Sequence, residues 1–304
     1  MTAPALTELV AGELAGPIDP RAAAMAEAIA RRYGSAARAV LFYGSCLRER
    51  ALDGLMLDFY LIVSDYRAAF GKSWLAPANR LIPPNVFPFE HDGLIAKYAV
   101  LSEADFHRLC GPETLSVSVW ARFAQPARLA WAADEAASAA AVGAVARAAP
   151  TLLAAARPLF GGREALDLWR TAFALTYSAE LRAERKGRAG SVVDADPDRY
   201  LRFTGPALVA AGLGEKAEAL RPASAAERLS AERLWARRRR AGKALSLLRL
   251  AKASGTYAGG IDYLAWKINR HAGTAIELAD WQRRWPILGA LTLLPRLLRQ
   301  RAIR

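Results

Sequence analysis

Apolar and polar positions along the chain keep two rhythms. From Ala22 to Arg32, small and branched apolar residues recur at helical spacing and Gly34 follows as a stop, which predicts a helix. Ala39–Tyr43 is a short apolar run that ends at Gly44-Ser45, and Leu55–Val63 is rich in aromatic and branched residues and ends near Ser64-Asp65. Both predict strands. The run Leu75–Pro88 carries four prolines and is expected to be a loop. Leu94–Leu101 predicts a third strand, and Ser102 opens a helix in a capping arrangement with Asp105. Three strands with helices between them predict a small α/β sheet. Beyond about Trp131 the strand rhythm stops. Ala133–Arg157, Glu164–Lys186 and Ala225–Ala253 all predict helices, with a loop over Gly187–Asp198.

The expected fold class is therefore α+β. A small α/β domain over residues 1–135 precedes a mainly helical domain over 136–254, and 255–304 forms a C-terminal basic amphipathic segment. No internal repeat is present. At 304 residues, 53% hydrophobic and 23% charged, the chain is long and apolar enough for a real core. Cys46 and Cys110 are too few for a disulfide framework and point to a reducing compartment. Met1–Pro20 lacks the basic and apolar stretches of a secretory signal. No uninterrupted apolar run reaches the roughly 18 residues that a bilayer span needs. The longest, Pro286–Pro295, has a proline at each end. An integral membrane protein is therefore not expected.

Charge adds a partner class. With 42 basic and 29 acidic residues the formal net charge is +13. Such an excess attracts polyanions: nucleic acid, nucleotide phosphates or an anionic membrane surface. A merely basic, solvated surface is the alternative.

The chemistry sits in Leu41-Phe42-Tyr43-Gly44-Ser45, followed thirteen positions after Ser45 by Asp58 within Leu57–Val63. A strand ending in Gly-Ser beside a strand carrying Asp is the layout of polymerase-β-like nucleotidyltransferases. Glycine lets the backbone approach a triphosphate closely, and the amides and hydroxyl after it can bond phosphate oxygens. An aspartate on the neighbouring strand can hold Mg²⁺ or another divalent cation against those phosphates. In that superfamily two carboxylates usually alternate on one face of the strand. Here Tyr60 stands where the second would be, so this strand alone supplies no two-metal site.

Tyr43-Gly44-Ser45 with Leu57-Asp58-Phe59 resembles the mitochondrial-type phosphatidate cytidylyltransferases, the translocator assembly and maintenance protein family. Ile95–Val100, around Lys97-Tyr98, looks like that family's Lys-Tyr-Gly-Val strand, although Ala99 replaces the glycine. Leu115–Pro126, with Trp120, Arg122 and Gln125-Pro126, is similar to its tryptophan-containing helix. Tyr177–Arg182 is similar to its Tyr-x-Gly-Asp-x-Arg element, with Glu180 in place of aspartate. The family's Asn-Pro loop has no clear counterpart in Pro83–Phe87. The likeness runs from about residue 38 to 205, with a weaker echo in Tyr263–His271. It implies a peripheral membrane enzyme that joins CTP, the nucleoside triphosphate substrate, to phosphatidic acid, with a divalent metal, giving CDP-diacylglycerol and pyrophosphate. It implies a cytoplasmic protein on the inner face of the cell membrane. Tyr43, Gly44 and Ser45 would bind the triphosphate and Asp58 the Mg²⁺. Lys97 would hold phosphate, and Arg182 the lipid or nucleotide phosphate.

Bland readings compete at each position. Lys97 in an apolar strand is also read as an edge-strand lysine. Arg182, Arg185, Lys186 and Arg188 are also read as a solvated helix end, and Glu180 and Glu184 as surface carboxylates on one helix face. His91, His107 and His271 lack metal spacing. Arg237–Arg240 fan out around a helix, so a solvated face is favoured over nucleic acid. In Trp281–Arg304, leucines and isoleucine at helical spacing alternate with arginines behind two tryptophans. This is the pattern of an interfacial helix, or of a terminal helix docked on the core. A nucleotidyltransferase with a soluble or nucleic-acid acceptor, and a non-catalytic nucleotide-binding scaffold, are the competing functions.

Overall fold

In a computed structural model the chain is described over residues 5–48, 52–180, 192–215, 220–253, 262 and 277–284. Five strands form one mixed sheet: β1 (Ala37–Tyr43), β2 (Met56–Val63), β3 (Asn85–His91), β4 (Leu94–Ser102) and β5 (Ala127–Ala132), in the order β3-β4-β2-β1-β5. Only β2 and β4 run parallel; the other neighbours are antiparallel.

Two of these strands lie outside the three expected. β3 begins inside the proline-rich run read as a loop and continues past it to His91, and Leu75–Leu81 of that run is a helix. β3 tolerates Pro88 because it is an edge strand, where a missing N–H costs no ladder bond. A two-residue turn, Asp92-Gly93, joins β3 to β4, and both residues have positive φ (47° and 76°), the geometry that matches strand twist. β5 is alanine-rich and shows no strong strand rhythm. It forms because its backbone completes the ladder of β1.

The helices are α1 (Leu6–Leu14), α2 (Pro20–Arg31), α3 (Tyr66–Phe70), α4 (Leu75–Leu81), α5 (Glu103–Cys110), α6 (Ser118–Phe123), α7 (Glu135–Ala146), α8 (Ala148–Ala156), α9 (Ala165–Ala179), α10 (Pro197–Ala210), α11 (Ala225–Ala253) and α12 (Asp280–Arg284). Side-chain caps start several of them. Asp19 accepts from the Arg21 amide at 2.8 Å with Pro20 at the first position, and Ser102 accepts from Asp105 at 3.2 Å, as the sequence predicts.

The sheet separates two cores. On one face Met25, Ala26 and Ile29 of α2 pack over Phe42, Phe59, Leu61 and Tyr98. On the other, Leu41, Tyr60, Ile62 and Leu101 pack under the helices, in a cluster of buried residues that runs from Leu6 to Trp235 and so spans both sides of residue 135.

Glu135–Leu159, the α7–α8 stretch, is long and apolar enough by length and composition to cross a membrane, with a mean hydropathy of 1.5 in its best window. Alanines keep that mean high despite Arg147, which interrupts the run. Most of the window, 61%, is buried inside the protein, as in a core helix.

Candidate active site

The helical layer does not cover the whole of its sheet face. Alternation puts Tyr60, Asp58 and Met56 of β2 on that face, opposite Ala99, Lys97 and Ile95 of β4. Burial falls in the same order. Tyr60 is 2% exposed, whereas Met56 and Ile95 are 37% and 46% exposed. The floor of the site thus descends from an open apolar step, past the Asp58–Lys97 pair, to a buried tyrosine.

Asp58 and Lys97 face each other across the parallel ladder, and Lys97 Nζ lies 3.1 Å from Asp58 Oδ1. That oxygen is buried and has no aligned hydrogen bond, so the ammonium meets it as an ion pair without the directional contact that would satisfy it. Lys97 lies on an interior strand, which overturns the edge-strand alternative. Tyr43 pairs with Asp58 on the other side. Gly44 turns away from the strand at φ 95°, and a Cβ there would sit 3.3 Å from Asp58 Oδ2. The glycine therefore allows a conformation that L side chains avoid and leaves the carboxylate room. Ser45 is exposed and opens the short 3₁₀ turn Ser45–Arg48.

A cavity of about 220 Å³ opens beside this pair, lined by Tyr43, Tyr60, Lys97, Ser118, Arg122 and Glu180 among others. Arg122 of α6 donates to the Tyr60 hydroxyl at 3.2 Å, and its guanidinium lies 5.1 Å from the centre of the Tyr43 ring. Burial weighs against its charge, but Tyr43, Tyr60, Glu180 and Asp58 more than offset this and hold it above its ordinary range. Burial, chiefly, pushes the Tyr43 phenol well up, so it stays neutral. Tyr60 stands two positions after Asp58 on the same face of β2, and its hydroxyl accepts from Arg122.

Two further cations come from α11. Arg249 donates to the Pro83 carbonyl at 2.7 Å and to Ser118 Oγ at 2.6 Å. Lys252 donates to the carbonyls of Ile82 and Pro84. Both line the cavity. Burial lowers the Arg249 pKa, and burial together with Arg249 pushes the Lys252 ammonium down to about 7. One stripe of α11 brings them there. Trp235 is buried and donates to the Ala155 carbonyl at 2.8 Å. At Gly242 a Cβ would stand 2.1 Å from the Ala179 carbonyl oxygen, so α11 touches the end of α9 just before Glu180. Arg238, expected on a solvated face, is 4% exposed and stacks on Trp235 and Trp120, with ring centres 5.0 and 5.6 Å away. Packing of this stripe overrides the tendency of an arginine run to stay in water.

No protein-family model matches the chain, and no curated protein does.

The site therefore stands on its geometry. Tyr43, Gly44, Asp58 and Lys97 come together as the sequence predicts; Arg182 lies outside the described residues, as do Arg185, Lys186, Arg188, Glu184 and His271. Sequence reasoning left Arg122 without a role and missed Arg249 and Lys252. Their spacing, i and i+3 on one helix face, was the available signal, but it is shared by any basic helix. Among the described residues no group of three or more His, Cys, Asp or Glu side chains converges as a metal cage. Mg²⁺ does not require one: it keeps several waters and takes one or two carboxylates plus substrate phosphates. Asp58, whose buried Oδ1 is met by Lys97 but has no aligned hydrogen bond, fits that donor set.

Proposed function

We propose that this chain is a nucleotidyltransferase that uses CTP and phosphatidic acid to make CDP-diacylglycerol and pyrophosphate. The observation that carries the reading is the convergence of Gly44, Asp58 and Lys97 at one uncovered end of the sheet, beside a cation-lined cavity. The acceptor rests on the family resemblance.

A divalent cation held by Asp58 would supply charge neutralisation for the phosphates and for the departing pyrophosphate. The Gly44 turn allows close approach of the triphosphate. Lys97 neutralises Asp58 in the free protein and, as a point charge, serves phosphate oxygens once nucleotide is bound. The phosphatidate oxygen attacks the α-phosphorus, the new P–O bond forms, the α–β bridging bond breaks and its electron pair leaves with pyrophosphate. Two charged reactants need no side-chain nucleophile; positioning and electrostatics carry the step.

A second reading, a nucleotide-binding protein without turnover, is favoured by Tyr60 in place of a second carboxylate. One assay separates the two: pyrophosphate release from CTP and Mg²⁺, with and without vesicles containing phosphatidic acid. Release only with the lipid supports cytidylyl transfer. Release with another acceptor alone points to a different transferase, and binding without release supports the second reading.

A further inference from the structure

The cavity holds more positive charge than the Asp58–Lys97 pair uses. Arg122, Arg249 and Lys252 line it beyond that pair, with Glu180 the one carboxylate among the lining residues. Arg249 Nη2 is buried and has no hydrogen-bond partner, although Nε and Nη1 of the same guanidinium are both engaged. A buried cationic donor left unpaired is costly unless a ligand meets it. The two engaged nitrogens fix the plane of the fork, so the third is held in place before any ligand arrives. Ser118 Oγ, which accepts from Arg249, and Arg122, which donates to Tyr60, line the same cavity.

We propose that Arg249, with Arg122 and Ser118, forms a second phosphate subsite, separate from the metal-side subsite at Asp58, and that it takes the phosphate monoester of the acceptor. This rests on the transferase reading for the identity of the acceptor, but binding of a phosphate monoester does not. Lys97, the ion-pair partner of Asp58, and Arg249 both line this cavity, and the proposal requires that a phosphate held by Arg249 and a triphosphate held beside Asp58 be present together. Lys252 lines the same cavity, and a dianion bound there would favour its protonated form. The ligand chemistry is a tetrahedral dianion, whose two sources are the acceptor monoester and the terminal phosphate of the nucleotide.

Calorimetric titration of the full chain distinguishes them. The probes are glycerol 3-phosphate in the presence of EDTA, and CTP with Mg²⁺, each on the wild type, Asp58→Asn and Arg249→Met. Glycerol 3-phosphate should bind the wild type and Asp58→Asn alike and weaken at least about tenfold in Arg249→Met, the loss of one charge-assisted contact. CTP with Mg²⁺ should weaken in Asp58→Asn and change little in Arg249→Met. Because Arg249→Met also releases the Pro83 carbonyl and can disturb folding, a measurement on the wild type stands beside it. The two ligands should bind together, each leaving the affinity of the other within about threefold. Competition between them, loss of CTP binding in Arg249→Met, or no binding of glycerol 3-phosphate by the wild type would each overturn the subsite. Glycerol 3-phosphate binding without any CTP binding would leave the subsite standing and remove the transferase reading.

Discussion

Lys97 Nζ and Asp58 Oδ1 stand 3.1 Å apart on adjacent parallel strands, and the carboxylate oxygen has no aligned hydrogen bond. An ion pair of this kind keeps the carboxylate charged and in place without giving it an aligned hydrogen bond, which under the proposed function leaves it ready for a divalent cation. Asp58→Asn should therefore lower turnover by at least about a hundredfold, the scale of losing several kcal/mol of charge stabilisation. The melting temperature should move little, because the pair is partly exposed and contributes modestly to stability. Rates near wild type in the pyrophosphate assay would remove Asp58 from the site.

Gly44 carries a different expectation. At φ 95° it holds a conformation that L side chains rarely adopt, and a Cβ 3.3 Å from Asp58 Oδ2 would fit only if the carboxylate gave way by a few tenths of an ångström. Gly44→Ala should cost about 1–2 kcal/mol in chemical denaturation for the left-handed backbone alone. It should also depress turnover, since the methyl group presses on the carboxylate. Unchanged stability and unchanged turnover together would show that the turn relaxes freely.

The register of α11 is testable at Gly242, where a methyl group would overlap the Ala179 carbonyl oxygen. Gly242→Ala should push α11 away from α9 and shift the cations at 249 and 252, two to three turns further on. We expect a destabilisation of about 1–3 kcal/mol, together with a rise in KM for the acceptor. Alanine normally strengthens a helix by about 1 kcal/mol over glycine, so a more stable variant with normal KM would exclude close packing here.

Lys252 sets a pH dependence. Its folded-state pKa, pushed down from 10.5 to about 7, means that between those values the unfolded chain holds a proton that the folded protein does not. Stability therefore rises with pH through that window and is lower below it, where the buried ammonium must be charged in the fold. Urea midpoints at several pH values from 7 to 10 should climb for the wild type and climb less steeply for Lys252→Met. Parallel slopes would show that Lys252 keeps its proton in the fold, held by the carbonyls of Ile82 and Pro84.

The basic apolar segment Trp281–Arg304 lies outside the described residues beyond Arg284. Its pattern predicts that the full chain co-sediments with vesicles containing phosphatidic acid, and less so as salt rises. A chain ending at Asp280 should lose most of that binding while still binding CTP. Equal sedimentation of both chains would place any lipid contact elsewhere.

The sequence by itself determined the strand ending in Gly44, the aspartate strand, the Lys97 strand, the α+β class and most helices, because these depend on local periodicity, turn chemistry and caps. It also brought Gly44, Asp58 and Lys97 into one hypothesis. Tertiary structure alone decided three things. β3 and β5 exist because neighbouring strands complete their ladders, which overrides Pro88 in one and alanine in the other. Lys97 became an interior residue paired with Asp58 because strand order, invisible in a single chain, put β4 between β3 and β2. Arg249 and Lys252 reached the cavity because Trp235, Arg238 and Gly242 dock one face of α11. A long basic helix offers several such faces, and only the packing partners, many residues away in sequence, select the one that turns inward.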